Sequence, residues 1–269
     1  MEGLITKSTG SWYQVQTEEG QKFDCRIKGI FRTKGITTTN PIAVGDIVDF
    51  DMEPEQGTGV ITKLHPRRNY IIRKSINLSK QAQIIAANLD QAMLVVTLAS
   101  PRTSLGFIDR FLVTAEAYDI PASLVFNKLD LFSDEGLEIL ADYKAIYENI
   151  GYPCYEVSAL TGGNIEQVSE IIKGKVTLFS GHSGVGKSSL INALVPDLKL
   201  RTTEISECHD KGMHTTTFAE MFELPQGGYI IDTPGIRELG VIDIEKNELS
   251  HFFPEMRALL NQCRFNSCR

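Results

Sequence analysis

The first 65 or so residues follow a pattern of short apolar segments separated by glycine-containing turns. The segments are rich in Val, Ile, Phe, Tyr and Thr, which is typical of β-strands. The predicted strands cover residues 4–7, 12–17, 22–27, 46–51 and 59–64. Five short strands in so few residues indicate a small closed barrel, and the oligonucleotide-binding (OB) fold is the commonest solution of that size. We therefore predict an N-terminal, all-β, OB-like barrel.

From about residue 85 the pattern changes to apolar strands that alternate with segments of helical spacing. The predicted strands lie at 92–98, 122–126, 155–158, 176–180 and 229–232, and the predicted helices at 107–118, 135–149 and 165–173. This alternation predicts a largely parallel sheet with helices on both faces. We predict three domains, which are the barrel at 1–70, a central α/β domain at 71–242 and a small, mostly helical C-terminal domain at 243–269.

The composition is that of an ordinary globular chain, with 42% hydrophobic and 23% charged residues among 269. The sequence contains no run of about 18 apolar residues, so it predicts no membrane span. The N-terminus lacks the basic and apolar segments of a secretory signal. The cysteines are odd in number and scattered, which argues against a disulfide framework. They are Cys25, Cys154, Cys208, Cys263 and Cys268. We expect a cytoplasmic protein without a membrane partner.

Charge is unevenly distributed along a chain whose formal net charge is -7. No acidic residue occurs between Glu55 and Asp90, and His65 lies within this stretch. Its basic residues are Lys63, Arg67, Arg68, Arg73, Lys74 and Lys80. Such a strip can neutralise nucleic-acid phosphates, but a solvated linker has the same composition, so charge alone leaves both interpretations open. Trp12 and Tyr13 could stack on bases, although aromatics of this kind more often form core.

The clearest chemical signal is a GxxxxGK[ST] phosphate-binding loop that follows the predicted strand at 176–180 and opens a helix. Its glycines let backbone N–H groups turn toward phosphates at the helix start. Lys187 reaches the outer phosphates, and the Ser188 hydroxyl takes a Mg²⁺ position. The residues that we predict to contact nucleotide here are Gly181, His182, Ser183, Gly184, Val185, Gly186, Lys187, Ser188 and Ser189.

Two short motifs at the ends of other predicted strands indicate which base is bound. Asn127, Lys128 and Asp130 form an NKxD motif, and Ser158 with Ala159 begins a third loop. The Asp130 carboxylate can accept hydrogen bonds from the N1–H and the exocyclic amine of guanine. Adenine has an acceptor at N1 and no amine at C2, so the wrong base would leave a desolvated carboxylate unpaired. Together the motifs predict GTP and GDP as ligands.

Segments on the C-terminal side of the phosphate-binding loop predict the remaining contacts to metal and γ-phosphate. Asp232 begins a DxxG motif that ends at Gly235, and the stretch 212–217 carries three threonines. Asp232 can hold the Mg²⁺ shell, and the Gly235 N–H can sense the γ-phosphate. We expect Thr216 to complete the magnesium coordination when the γ-phosphate is present.

The five GTPase elements occur in a rotated order, with NKxD and the third loop before the phosphate-binding loop. With the barrel, the string GxHTTT at 212–217 and the cysteine-containing C-terminal segment, the whole chain resembles the circularly permuted small ribosomal subunit biogenesis GTPases, the RsgA family. The resemblance implies a cytoplasmic, monomeric GTPase that binds the small ribosomal subunit and its rRNA late in maturation. It also implies that the protein hydrolyses GTP to GDP and phosphate and leaves after hydrolysis.

The position that orients the attacking water in many GTPases, just after DxxG, holds Ile236 here. An apolar side chain cannot make a hydrogen bond to water, so another group must act. His214 is our candidate catalytic residue, because an imidazole can position or deprotonate water. The alternative is that the bound partner supplies the group. Either way we expect hydrolysis that is slow alone and stimulated by the small ribosomal subunit.

Cys263 and Cys268 are spaced like one half of a tetrahedral zinc site, but two ligands cannot close a structural site. The family pattern continues with a histidine and a further cysteine beyond the second cysteine. We therefore expect this chain to be truncated and the complete protein to bind one Zn²⁺ through Cys263, Cys268 and further ligands. The alternative is a family member that has lost the metal.

The sequence leaves two alternatives to a GTPase, and they belong to other functional classes. A P-loop ATPase or small-molecule kinase would fit the phosphate-binding loop, but the NKxD motif and the third loop at strand ends argue against it. Equal affinity for GTP and ATP would contradict the GTPase interpretation. An RNA-binding scaffold with nucleotide as a structural ligand would show no stimulation of hydrolysis by ribosomal subunits.

Overall fold

A computed structural model describes residues 1–27, 41–53, 57–74, 82–198, 200, 219–233 and 244–262. Its main feature is a sheet of eleven strands, one part of which closes into a barrel while the other part is mostly parallel. None of the helices in the described ranges has both the length and the apolar character that crossing a bilayer requires.

The barrel consists of β1 (Glu2–Ser8), β2 (Tyr13–Gln16), β3 (Lys22–Ile27), β4 (Ile47–Met52) and β5 (Gly59–Leu64). Its strand order is β1-β2-β3-β5-β4, and it closes because β4 also pairs with β1. The predicted closed barrel of five strands is therefore confirmed. The side chains that fill its core are Ile5, Tyr13, Val15, Cys25, Ile42, Val48, Phe50 and Ile61.

A two-stranded antiparallel sheet of β6 (Tyr70–Lys74) and β7 (Ala82–Ala87) follows the barrel in the chain, and the sequence pattern predicts neither strand. The barrel contacts this sheet closely. Val44 forms a parallel bridge with Ala86, and a Cβ at Gly45 would lie 2.1 Å from the Ala87 carbonyl oxygen. Only glycine fits at this contact, because a side chain there would overlap backbone.

Several residues of the basic strip at 56–89 form ion pairs with carboxylates of the same chain. Arg67 donates to both carboxylate oxygens of Asp46, each at 2.7 Å, and the Asp46 side chain is fully buried. Arg68 pairs with Asp90 at 2.6 Å, and His65 lies 3.0 Å from Asp49. Lys80, with the side chains of Arg73 and Lys74, lies outside the described part of the chain. Arg67 and Arg68 thus stabilise the junction after the barrel, and both are already paired with carboxylates.

The central sheet contains β8 (Gln91–Val96), β9 (Ala122–Phe126), β10 (Cys154–Glu156), β11 (Val176–Ser180), β12 (Glu220–Glu223) and β13 (Tyr229–Asp232). Its order is β10-β9-β8-β11-β13-β12, and β12 continues into β1 of the barrel. The pairings are parallel except β12–β13 and β12–β1, which are antiparallel. The predicted parallel sheet is confirmed, and the short strand β12 is an addition to it.

Helices cover both faces of this sheet, as the alternating pattern predicts. Leu94 and Val96 on β8 belong to one apolar cluster with α1 (Leu105–Ala117) and α2 (Asp134–Ile150). Met93 and Val95 belong to the cluster on the other face, and that cluster includes α3 (Ile165–Ile172) and α4 (Lys187–Leu194). The sequences of these buried strands are continuous apolar runs because helices cover both of their faces.

The described C-terminal residues form short helical turns. They are the 3₁₀ turns Leu249–Phe252 and Leu260–Gln262, and α5 (Pro254–Arg257). Arg257 lies 3.1 Å from Glu116 on α1, which attaches this segment to the central domain. Cys263 and Cys268 lie outside the described residues, so the zinc site stays a prediction.

Replacing Arg67 with alanine should destabilise the protein, because the buried Asp46 carboxylate would lose its cation. Breaking a buried pair in this way costs about 3 kcal/mol of unfolding free energy, measured by urea denaturation. Lys63→Ala is the control, since the Lys63 side chain is 64% exposed and its ammonium lies 3.8 Å from Asp49. That change should stay within about 0.5 kcal/mol. Equal losses in the two variants would contradict the role given to Arg67.

Candidate functional site

The candidate residues gather at one edge of the central sheet. The strands β9, β10, β11 and β13 belong to the parallel part of the sheet, so the loops after them leave at the same edge. Ligands of open α/β sheets bind at this carboxyl edge. The sequence motifs fall on these loops, although they are far apart along the chain.

The phosphate-binding loop runs from Gly181 to Gly186 and ends where α4 begins, at Lys187. Gly186 caps the helix in a left-handed conformation with φ of +87°, and no side chain occupies the cap position. Val185 is fully buried and anchors the loop in the apolar core. The first-turn N–H groups of α4 are therefore presented to an anion, as a phosphate site requires.

Asn127 joins three loops of the site. Its side chain is almost fully buried, at 1% exposure. The amide nitrogen donates to the Val185 carbonyl oxygen at 2.9 Å, and the amide oxygen accepts from the Ala159 N–H at 3.0 Å. A Cβ on Gly186 would lie 2.3 Å from this amide nitrogen. The first NKxD residue is thus a brace that fixes the base-side loops against the phosphate-binding loop.

Lys128 lies across the same loop. Its ammonium donates to the Gly184 carbonyl oxygen at 2.7 Å and also to the carbonyl oxygen of Ser100. Partial burial lowers the pKa of Lys128, and the nearby Asp130 carboxylate acts in the opposite direction. The contact with Ser100 is one that the sequence motifs do not predict.

Asp130 is held by a neighbour while it faces solvent. The Ser158 hydroxyl donates to one carboxylate oxygen of Asp130 and accepts from the Thr161 N–H at 3.2 Å. Asp130 itself is exposed. An oriented, accessible carboxylate beside the loop of Ser158 and Ala159 is what recognition of the guanine N1–H and amine requires.

Lys187 and Asp232 form a buried pair where β11 and β13 end. The ammonium lies 3.0 Å from a carboxylate oxygen of Asp232, and the two side chains are 9% and 4% exposed. It also donates to the Thr233 carbonyl oxygen at 2.8 Å. Burial raises the pKa of Asp232, and the Lys187 cation opposes that shift. Asp232 and the hydroxyl of Ser188, next to Lys187 in the chain, supply the oxygen ligands that suit Mg²⁺.

His182 has a packing partner that the sequence does not reveal. Its ring stacks against Phe107 of α1, with centroids 3.8 Å apart and planes tilted by 30°. Burial lowers the pKa of His182, and Arg110 adds to the effect. The imidazole therefore packs against α1 and supports the phosphate-binding loop.

Part of the predicted site lies outside the described residues. This part consists of His214, Thr216, Gly235 and Ile236, which stands where many GTPases have a water-orienting residue. Ser183 and Gly184 are exposed on the phosphate-binding loop, whereas Ser189 is partly buried in the first turn of α4.

Comparisons with known proteins agree with this arrangement. A family model described as RsgA GTPase matches residues 64–242, and one described as RsgA N-terminal domain matches residues 2–61. The chain is 56% identical to the small ribosomal subunit biogenesis GTPase RsgA of Bacteroides fragilis, covering 100% of this chain and 86% of the relative. It is 54% identical to the protein of the same name from Flavobacterium psychrophilum, covering 100% and 83%.

Two crystal structures are similar over nearly all of the chain. YjeQ from Thermotoga maritima superimposes with a TM-score of 0.77 at 36% identity, covering 99% of this chain and 85% of YjeQ. YloQ, described as a circularly permuted GTPase, has a TM-score of 0.72 at 32% identity, covering 99% and 82%.

Replacing Gly186 with alanine should weaken GTP binding at least about tenfold, because it adds left-handed strain and a collision with the Asn127 amide. Titration calorimetry measures the affinity. Gly151→Ala is the control, since Gly151 also has a positive φ, of +116°, but its Cβ would meet nothing within 4 Å. That variant should lose about 1 kcal/mol of stability and keep its affinity. Unchanged GTP affinity in Gly186→Ala would contradict the brace.

Proposed function

Because the chain belongs to the RsgA GTPase family, we propose that it binds the small ribosomal subunit, assists its late maturation and is released after hydrolysing GTP to GDP and phosphate. The observation that carries the proposal is the brace at Asn127. This one buried amide holds the guanine-recognition loops against the phosphate-binding loop, although the motifs occur in rotated order along the chain. Family membership leaves the ATPase or kinase alternative and the non-enzymatic scaffold without support.

The residues divide into base, phosphate and metal contacts. Asp130, oriented by Ser158, accepts from the guanine edge, while Asn127, Lys128 and Ala159 hold its loop in place. The phosphate-binding loop and the first turn of α4, as far as Ser189, surround the phosphates, and Gly235 contacts the γ-phosphate. In binding GTP, the Lys187 ammonium exchanges its present partners, Asp232 and the Thr233 carbonyl oxygen, for phosphate oxygens.

A Mg²⁺ ion would be held by Ser188, Asp232 and Thr216. The first two are supported by their position at the sheet edge, where the buried Asp232 carboxylate pairs with Lys187, the residue before Ser188 in the first turn of α4. When bound, the ion neutralises charge on the phosphate oxygens. One Zn²⁺ bound through Cys263 and Cys268 is a separate expectation, as are the domain limits at 1–70, 71–242 and 243–269.

Hydrolysis is assigned to His214, which would position or deprotonate the attacking water. Support comes from the apolar Ile236, which cannot orient water, and from the location of His214 between the phosphate-binding loop and the DxxG motif. The isolated site is then incomplete until the partner orders it.

The surface of the small ribosomal subunit that this protein contacts includes rRNA. The protein acts as a monomer in the cytoplasm. Trp12, which is 45% exposed and directly precedes β2, can stack on an unpaired base, whereas Tyr13 is buried in the barrel core. Arg67 and Arg68 contribute little to phosphate binding, because they are held by Asp46 and Asp90.

Asp130→Asn should lower the affinity for GTP at least about tenfold, because the amide nitrogen would face the N1–H and amine donors of guanine. Xanthosine triphosphate, whose C2 carbonyl accepts a hydrogen bond, should gain affinity in the same variant. Competition binding measures both nucleotides. Asp134→Asn, an exposed neighbour at the start of α2, should bind GTP like the wild type. Full GTP selectivity in Asp130→Asn would overturn the assignment of the base site.

Purified small ribosomal subunits should raise the GTP hydrolysis rate by about 10²-fold or more, because the partner completes the site. His214→Ala should lose most of this stimulated rate and keep its nucleotide affinity. His251→Ala, which changes an exposed histidine of the C-terminal segment, is the matched control. If His214→Ala keeps the stimulated rate, the partner supplies the catalytic group.

A further inference from the structure

The barrel and the GTPase sheet share a hydrogen-bonded edge at β12. Strand β1 of the barrel pairs with β12 through the residues Lys7 and Glu220. On its other side β12 pairs with β13, and there Glu220 is directly opposite Asp232. Lys7, Glu220 and Asp232 therefore form one row across three neighbouring strands, from the barrel surface to the proposed magnesium site.

Each acidic side chain in this row is paired with a lysine, which stabilises the observed strand pairing. The Lys7 ammonium lies 2.9 Å from a carboxylate oxygen of Glu220, and the Lys187 ammonium lies 3.0 Å from Asp232. Each of the two neighbouring carboxylates thus has its own cation. Without Lys7, Glu220 would be an uncompensated negative charge beside Asp232, and like charges in directly opposite strand positions repel.

A second contact holds the far end of β12. The buried amide of Gln16 on β2 donates to a carboxylate oxygen of Glu223 at 3.2 Å. Both ends of this four-residue strand are therefore attached to the barrel by side chains. In the sequence, Glu220 follows Thr216 by four positions and His214 by six, so β12 fixes where the segment that carries them rejoins the sheet.

We propose that Lys7 of the barrel is a positioning residue for GTP hydrolysis, because it holds β12 in register and compensates the charge next to Asp232. The proposal rests on the proposed function, since hydrolysis is its main readout. The groups that bind guanine and phosphate lie on other loops, so Lys7 affects the rate and leaves nucleotide affinity unchanged.

The test is Lys7→Glu, which places two carboxylates opposite each other. We expect kcat for GTP hydrolysis at saturating Mg²⁺ to fall about 3- to 10-fold and KM to stay within about twofold. Lys7→Arg should retain the wild-type kcat. Adding Glu220→Gln to Lys7→Glu removes the repulsion and should restore most of the rate, which a general loss of folding would not allow.

Arg26→Glu is the matched control. Arg26 pairs with Glu53 at 2.7 Å, with exposures of 44% and 33% that resemble the 45% and 34% of Lys7 and Glu220. The control pair lies within the barrel, so its reversal should leave kcat unchanged. A Lys7→Glu variant with wild-type kcat, or an Arg26→Glu variant that loses as much, would overturn the proposal.

Hydrogen exchange separates this proposal from the function on which it rests. The amides of Glu220–Glu223 should exchange faster in Lys7→Glu than in the wild type or in Arg26→Glu. Wild-type protein without GTP hydrolysis would contradict the proposed function, and unchanged exchange in Lys7→Glu would contradict the positioning role.

Discussion

The buried amide of Asn127 is the contact on which the nucleotide site depends. It satisfies the Val185 carbonyl oxygen and the Ala159 N–H at once, and each of these groups would otherwise be a polar atom without its partner. A buried donor or acceptor left unpaired costs about 1–3 kcal/mol. The approach is close because Gly186 has no side chain, so the glycine of the phosphate-binding loop and the asparagine of the base-side loop constrain each other.

This constraint explains why the rotated order of motifs is compatible with one site. Strand pairing in a sheet depends on which strands are neighbours, and not on which loop connects them. The phosphate-loop strand β11 lies between β8 and β13, and the NKxD strand β9 lies on the far side of β8. The same edge contacts form whether the chain enters the sheet at β11 or, as here, at β8. Within the described residues, the connection that is special to this order runs from α3 through Gly174 to β11.

The sequence predicts the elements whose physical signal is local. Strands 176–180 and 229–232 are continuous apolar runs because both faces are covered, and the structure has them with the predicted bounds. Strand β12 is not predicted, because four residues in which two apolar side chains lie between two glutamates carry too little pattern. The contact partners of Arg67 and His182 are not predicted for another reason. Asp46 and Phe107 are distant in the chain, and no local pattern links such pairs.

The barrel is attached to the central domain at two places that differ in strength. At the junction after the barrel, a fully buried carboxylate is paired with Arg67, and Gly45 packs directly on backbone. Breaking such a buried pair costs about 3–5 kcal/mol. At β12 the contact is one residue pair of strand, a half-exposed ion pair and the hydrogen bond from Gln16 to Glu223. Exposed ion pairs contribute about 0–1 kcal/mol. Of the two attachments, the β12 contact is therefore the weaker one. Since β12 leads directly to the candidate catalytic segment and pairs with the strand of Asp232, the weaker attachment is the one that can respond to the nucleotide.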